Sequence, residues 1–419
     1  MRASSLVVLG LIGSMLLGGP RPASAQTTEV EALRQEVEAL RARLAALEAK
    51  IAGAPAAVPV ATAASAEPVA TPAVAEPAEP VAPPAAASAA SSKVFNPDMA
   101  VIGDFLGAVG RNRVNPSPAL EMHESEASFQ AIVDPYARAD FFIAFGEEGV
   151  EVEEGFLTFG SLPGGLLAKV GKMRAPFGKV NTLHNHVLPW TDRPIAINNL
   201  VNGEEGIGDA GISVARLIPI PKVFLEATGQ VSRGDSGDLF HSSKRGDLGY
   251  VGHLRGYQDL SESTNLDLGA SYARGHNTAG IVGDQDVGRF VTDLWGVDAT
   301  VRWRPLRRAI YNSFIGRSEL IWSKREQFGG RENAFGYYVS GDYQFGRRWF
   351  AGARYDRSER ADDATRHDAG GSLLLTYWPS EFSQVRGQYR HTRYAEGENA
   401  NEFLFQFMFA IGAHGAHPF

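Results

Sequence analysis

Residues 402–419 read EFLFQFMFAIGAHGAHPF, with Phe403, Phe405, Phe407, Phe409 and Ile411 on every second position. Successive side chains of an extended strand point to opposite faces, so all five large apolar groups share one side. Leu404, Gln406, Met408, Ala410 and Gly412 occupy the other. Such a face is covered either by the core of a soluble sandwich or barrel, or by lipid around a barrel with a wet lumen. The rest of the chain has to choose between them.

The same alternation recurs beyond Pro97. In GVDATVRWR, Trp295, Val297, Ala299, Val301 and Trp303 share a face opposite Asp298, Thr300 and Arg302. In AFGYYVSGDYQF, Phe335, Tyr337, Val339, Gly341, Tyr343 and Phe345 oppose Gly336, Tyr338, Ser340, Asp342 and Gln344. SFQAIVDPYARADFFIAF sets Phe129, Ala131, Val133, Ala137, Ala139, Phe141, Ile143 and Phe145 against Gln130, Asp134, Tyr136, Arg138 and Asp140. Charge in the middle of long strands, and aromatic residues at the ends of the apolar faces (Trp295 and Trp303, Trp349 and Tyr355), favour lipid over a soluble core. Fifteen strands are expected, near 101–109, 128–145, 149–159, 165–173, 210–218, 222–232, 248–257, 264–274, 290–303, 312–324, 334–345, 348–357, 368–378, 382–394 and 402–412. Closure requires an even number, so one is missed or split and the expectation is a transmembrane antiparallel β-barrel of about sixteen strands. A barrel of that size keeps an aqueous channel.

The N-terminal quarter has a different character. Residues 1–25 have the form of a secretory signal: Arg2, an apolar run from Leu6 to Gly18, and Ala23-Ser24-Ala25 for cleavage. In 26–52, Val30, Leu33, Val37, Leu40, Leu44, Leu47 and Ile51 step by three and four, forming the seam of a coiled-coil oligomerisation helix. Oppositely charged e and g positions suit a parallel partner, without fixing the number of chains. Residues 53–97 make a disordered linker, whose Ala- and Pro-rich stretch from Ala52 to Ser92 reaches about 130 Å at roughly 3.1 Å per residue. The barrel occupies 98–419. With short turns on the side where the chain enters, the coiled coil is expected in the periplasm. Cysteine is absent, which removes disulfide and thiol chemistry, and a net charge of −8 disfavours nucleic acid.

LLAKVGKMRAPFGKVNTLHNHVLPWTDRP, from Leu166, resembles the central signature of the phosphate-selective porin O and P family, a strand of the form V-G-[KQ]-x-[KR]-x-P-F-G running into a long loop. YARADFFIAF and EEGFLTFGSL are similar to the strands before it. The resemblance covers roughly 98–419 and is most specific at Val170 to Gly178. It implies an outer-membrane trimer in a Gram-negative-type bacterium, passive solute passage, and a lumen lined with arginine and lysine. Phe419 is similar to the terminal assembly signal read by the barrel insertion machinery, although His417 and Pro418 interrupt the alternation there.

More than thirty residues rich in Asn, His, Pro and Gly separate the strand ending near Met173 from the one beginning near Ala210, too long for a hairpin turn. Folded inward, they would bring Arg174, Lys179, His184, His186, Asp192 and Arg193 to the solute path; the alternative is a loop packed on the rim. Parity turns Arg138, Arg255, Arg302, Arg317, Arg354, Arg386 and Arg390 inward, matched by Asp134, Asp140, Asp267, Asp298, Glu319, Asp342 and Asp356, so most of these charges are expected to pair across strands and stiffen the wall. Arg386 and Arg390 form the best local basic ladder. His184 and His186, with His414 and His417, lack carboxylates at metal-binding spacing and are expected to be solvated. No nucleophile elbow, HExxH or Gly-rich phosphate loop occurs, so no catalytic, cofactor or metal residue is assigned. The expected function is a porin-like channel for small hydrophilic solutes or ions, with anions such as phosphate included. The alternative is an outer-membrane anchor whose coiled coil tethers the membrane to cell wall or a partner.

Overall fold

In a computed structural model, residues 97–412 are described, apart from 147, 148 and 284. The signal, coiled-coil and linker readings, with their seam Val30 to Ile51, lie outside the described residues, as do His414, His417 and Phe419.

The strands are β1 (Asp98–Arg111), β2 (Leu120–Asp134), β3 (Ala137–Gly146), β4 (Gly149–Leu162), β5 (Leu166–Arg174), β6 (Gly208–Ile220), β7 (Val223–Ser232), β8 (Gly249–Ser261), β9 (Thr264–His276), β10 (Ile281–Val282), β11 (Gln285–Asp286), β12 (Val291–Trp303), β13 (Ser313–Gln327), β14 (Gly330–Gly346), β15 (Trp349–Glu359), β16 (His367–Ser380), β17 (Ser383–Arg393) and β18 (Asn399–Gly412). All except the small β10–β11 hairpin form one closed antiparallel barrel, sealed where β1 pairs with β18 from Ala100↔Gly412 to Arg111↔Asn401. The strand missing from the sequence count comes from a split of 128–145. Asp134 ends β2 and its Oδ1 accepts from the Tyr136 backbone N–H at 2.8 Å, turning the chain at Pro135-Tyr136. Phe129 then faces Phe141 and Ala131 faces Ala139. Because these partners have equal parity, the alternation runs through the turn without a break.

The wall has the predicted polarity. Phe403, Phe407, Phe409 and Ile411 are 38–62 % exposed, whereas Leu404 and Gln406 on the other face are 7 % and 1 %. Apolar residues that no protein covers ring the barrel between two aromatic girdles. At the long-loop end Trp295 lies beside Tyr272 and across from Trp322, which packs on Phe335; at the short-turn end Trp349 packs on Tyr377 with centroids 4.5 Å apart. The eight steps from Trp295 to Trp303 cover roughly 26 Å of strand at about 3.3 Å each, close to the ~25 Å apolar band of outer-membrane barrels.

The largest hydrophobic cluster lies inside the barrel. The segment between β5 and β6 contributes Phe177, Val180, Leu188, Trp190, Ile197, Leu200 and Val201, and the lumen side of the wall meets it with Leu294, Ile321, Tyr338 and Leu374. These wall residues are apolar at inward parity, which a wet lumen would not favour; the loop covers them.

Candidate functional site

The loop is held across the lumen by anchors at both ends. It leaves β5 through Ala175-Pro176-Phe177 and turns at Gly178, whose φ of +60° is left-handed. A Cβ there would come within 2.1 Å of Glu319 Oε2. Glu319 needs that space, because its Oε1 accepts from the backbone N–H of Lys179 (3.1 Å) and Val180 (2.8 Å) and from Tyr338 Oη (3.0 Å). The Gly178 N–H donates to Ser271 Oγ, and Lys179 Nζ reaches Asp267 Oδ2 at 2.7 Å. Burial draws the Lys179 ammonium below its usual pKa against the attraction of Asp267.

The middle of the loop reaches β2 and β4. His184 Nδ1 lies 2.7 Å from Glu126 Oε2 and 2.8 Å from Glu153 Oε2, and its Nε2 lies 3.0 Å from Glu154 Oε2. Burial disfavours the imidazolium, yet these three carboxylates prevail and hold its pKa well above the usual histidine range. His186 Nδ1 approaches Glu124 Oε1 at 3.4 Å. The expectation of solvated histidines fails for this pair, which are 8 % and 3 % exposed. Their carboxylates come from strands distant in sequence. A register shift between Phe142 and Ile143 lets consecutive Glu153 and Glu154 both reach His184, which strict alternation forbids.

The far end meets β15–β17. Asp192 Oδ2 accepts from Arg354 (2.9 Å) and Arg390 (2.9 Å), and its Oδ1 accepts from Gln388 Nε2 (2.5 Å). Burial opposes its ionisation, but Arg354 and Arg390 outweigh it and hold the carboxyl at about 2. Arg354 also lies 4.9 Å over the Trp190 ring, which meets Tyr338 edge-on. A single-turn helix, α1 (Ile195–Leu200), packs on β14 and β15, and Asn199 donates to Asp368.

All eight residues expected at the path are thus gathered, but largely in fastening roles. Arg174 donates to the Glu204 carbonyl and to Glu153 Oε2. Arg193 braces the loop from within, donating to Asn185 Oδ1 and the carbonyls of Val180 and Leu183; burial, helped by the charge on Arg174, lowers it to about 10. Arg386, 4 % exposed, donates to the Leu188 carbonyl and Gln406 Oε1, so the Arg386–Arg390 ladder lies beneath the loop. Of the inward charges, Arg255 pairs with Asp267 and Arg317 with Asp342 across neighbouring strands as expected, whereas Arg138 with Asp140 and Arg354 with Asp356 pair along a single strand. A cavity of about 260 Å³ opens beside the loop, lined by Asp192, Asn198, Asn199, Arg354, Arg360, Asp368 and Arg390 among others.

No family model matches the chain. A protein of Aquifex aeolicus (strain VF5), described as uncharacterized, is 30 % identical, with 78 % of this chain and 81 % of that one covered. Among solved structures, the anion-selective porin from Comamonas acidovorans superposes with a TM-score of 0.53 at 11 % identity, covering 75 % of this chain and 99 % of that one. Pseudomonas putida OprB gives 0.52 at 12 %, with 76 % and 95 % covered. OmpT of Vibrio cholerae, described in a trimer form, gives 0.50 at 11 %, with 75 % and 99 % covered. These likenesses show the fold, a closed antiparallel barrel of the kind seen in those outer-membrane proteins.

Proposed function

The chain belongs to one family with the Aquifex aeolicus protein, and we propose that it is an outer-membrane channel for passive diffusion of small hydrophilic solutes or ions. The observation that carries this is the loop at 175–207. It crosses the lumen, held by ionic and hydrogen-bonded anchors to β2, β4, β9, β13, β15 and β17, inside a wall whose outer surface is apolar and uncovered. A rigid constriction in a lipid-embedded barrel selects by size and charge. The cavity beside it bears Arg354, Arg360 and Arg390, which supports small anions, phosphate among them, as the preferred cargo. Each of these arginines is shared with a carboxylate, so the preference for anions is modest. The likeness to OmpT, described in a trimer form, supports a homo-oligomer, most simply a trimer.

The test is a reversal potential across planar bilayers in a salt gradient. The double variant Arg360→Ala with Arg390→Ala, at the cavity, lowers the anion/cation permeability ratio; an unchanged potential removes the anion reading. The N-terminal coiled coil and linker support a second reading, a periplasmic tether. Deleting residues 26–92 leaves the conductance of a channel intact and abolishes the envelope phenotype of a tether.

A further inference from the structure

The geometry points to a divalent transition-metal site, of the Zn²⁺ or Mn²⁺ class, built from His184, Glu124, Glu126 and Glu153 where the loop meets the wall. The ligand atoms of these four residues all lie within 4.8 Å of one another, in a region where Glu124, Glu126 and His184 are at most 8 % exposed. That spread suits an octahedral shell with bonds of about 2.1 Å, in which opposite ligands stand about 4.2 Å apart. Three carboxylate oxygens and one imidazole nitrogen form a mixed set that favours Zn²⁺, Mn²⁺ or Fe²⁺ over alkaline-earth ions.

Proximity of acidic groups would not make a site by itself. The second observation is that Glu126, 97 % buried, directs its Oε2 into the cluster without receiving a hydrogen bond, and His184 Nδ1 makes none either. The two atoms are 2.7 Å apart, and Glu153 Oε2 is 2.8 Å from the same nitrogen, so the ring N–H points at neither oxygen. One nitrogen crowded by two carboxylate oxygens off its N–H axis is poor hydrogen-bond geometry.

The other side of the ring completes the pattern. Nε2 hydrogen-bonds Glu154 Oε2 at 3.0 Å, and a histidine that ligates a metal commonly donates its second N–H to a carboxylate, which fixes the tautomer and turns the lone pair to the ion. Phe142 packs on the ring with centroids 5.2 Å apart and limits its rotation. The bulge that aims both Glu153 and Glu154 inward therefore supplies one ligand and one orienting group from consecutive residues. In this arrangement the ion takes the place of the proton on Nδ1 and ties the loop to β2 and β4. The site depends on the fold alone and not on the channel reading.

The test uses the full mature chain, refolded in detergent and stripped with chelator, then dialysed against Zn²⁺ or Mn²⁺ in parallel with Mg²⁺ and Ca²⁺. Elemental analysis should find about one Zn²⁺ or Mn²⁺ per chain. Glu126→Gln, which keeps the shape, should weaken binding at least 100-fold, and Glu154→Gln by ~10- to 100-fold. The folded barrel is verified for each by its heat-modifiable gel mobility. Wild-type protein that retains no stoichiometric transition metal overturns the proposal, and so does unchanged binding by a folded Glu126→Gln variant. Binding is read without any current, so a chain that binds but does not conduct refutes the channel and leaves the site standing.

Discussion

Asp192→Asn tests how the loop is held. The carboxylate accepts one hydrogen bond each from Arg354, Arg390 and Gln388. Asparagine keeps the volume but removes the charge and turns an NH₂ group toward a guanidinium. A charge-assisted hydrogen bond contributes about 1.5–3 kcal/mol. Both arginines retain another carboxylate, Asp356 at 2.8 Å and Glu402 at 2.6 Å, which places the net loss near about 2–3 kcal/mol. The depression of the carboxyl from its ordinary 3.8 to about 2 points the same way, at roughly 2 kcal/mol. A loss of that size raises the ratio of detached to anchored loop about 60-fold. Single-channel recordings of Asp192→Asn should therefore flicker between the wild-type level and a larger one, and protease should cut within 175–207. Because the folded-state pKa is depressed, the stabilisation is complete above about pH 4 and is lost as pH falls toward 2. Wild-type channels should acquire the flicker over that window and not on the alkaline side. An Asp192→Asn protein with wild-type current noise and an equally resistant loop would refute the anchoring argument.

Trp190→Ala removes a side chain that is 1 % exposed, edge-on to Tyr338 and beneath Arg354, at a cost of about 3–5 kcal/mol to loop packing; single-channel conductance should rise while heat-modifiable mobility persists. Gly178→Ala forces a left-handed residue to carry a Cβ and pushes Glu319 off the Lys179 and Val180 amides, about 2–4 kcal/mol together, read as faster cleavage of the loop in a barrel that still folds.

The wall was legible because burial of one face imposes a period of two on every strand, and an apolar exterior leaves Phe403 to Ile411 in plain view. The hairpin at Pro135-Tyr136 was not, since a register shift between Ile132 and Asp134 offsets its two-residue turn and sets residues of equal parity opposite one another. The loop was recognisable from length and composition, and Lys179, His184, His186 and Asp192 contact wall residues of the barrel. Their partners were hidden for two reasons. Glu124 and Glu126 lie in the part of β2 that the strand assignment left out, and Glu153 with Glu154 face inward together only through a bulge that shifts register. The apolar wall residues Leu294, Ile321, Tyr338 and Leu374 were a readable signal: grease at inward parity marks where a loop lies against the wall.

The chain has no cysteine, so single Cys substitutions report cleanly on the wall. The most direct test is nitroxide labelling at successive positions from 403 to 409 in β18, one Cys at a time in bilayers, with collision rates measured for oxygen dissolved in the acyl region. A lipid-facing surface predicts high oxygen collision at Phe403→Cys, Phe405→Cys, Phe407→Cys and Phe409→Cys and low values at Leu404→Cys, Gln406→Cys and Met408→Cys. Equal collision rates at odd and even positions, or the opposite alternation, would contradict a barrel with its phenylalanines in lipid.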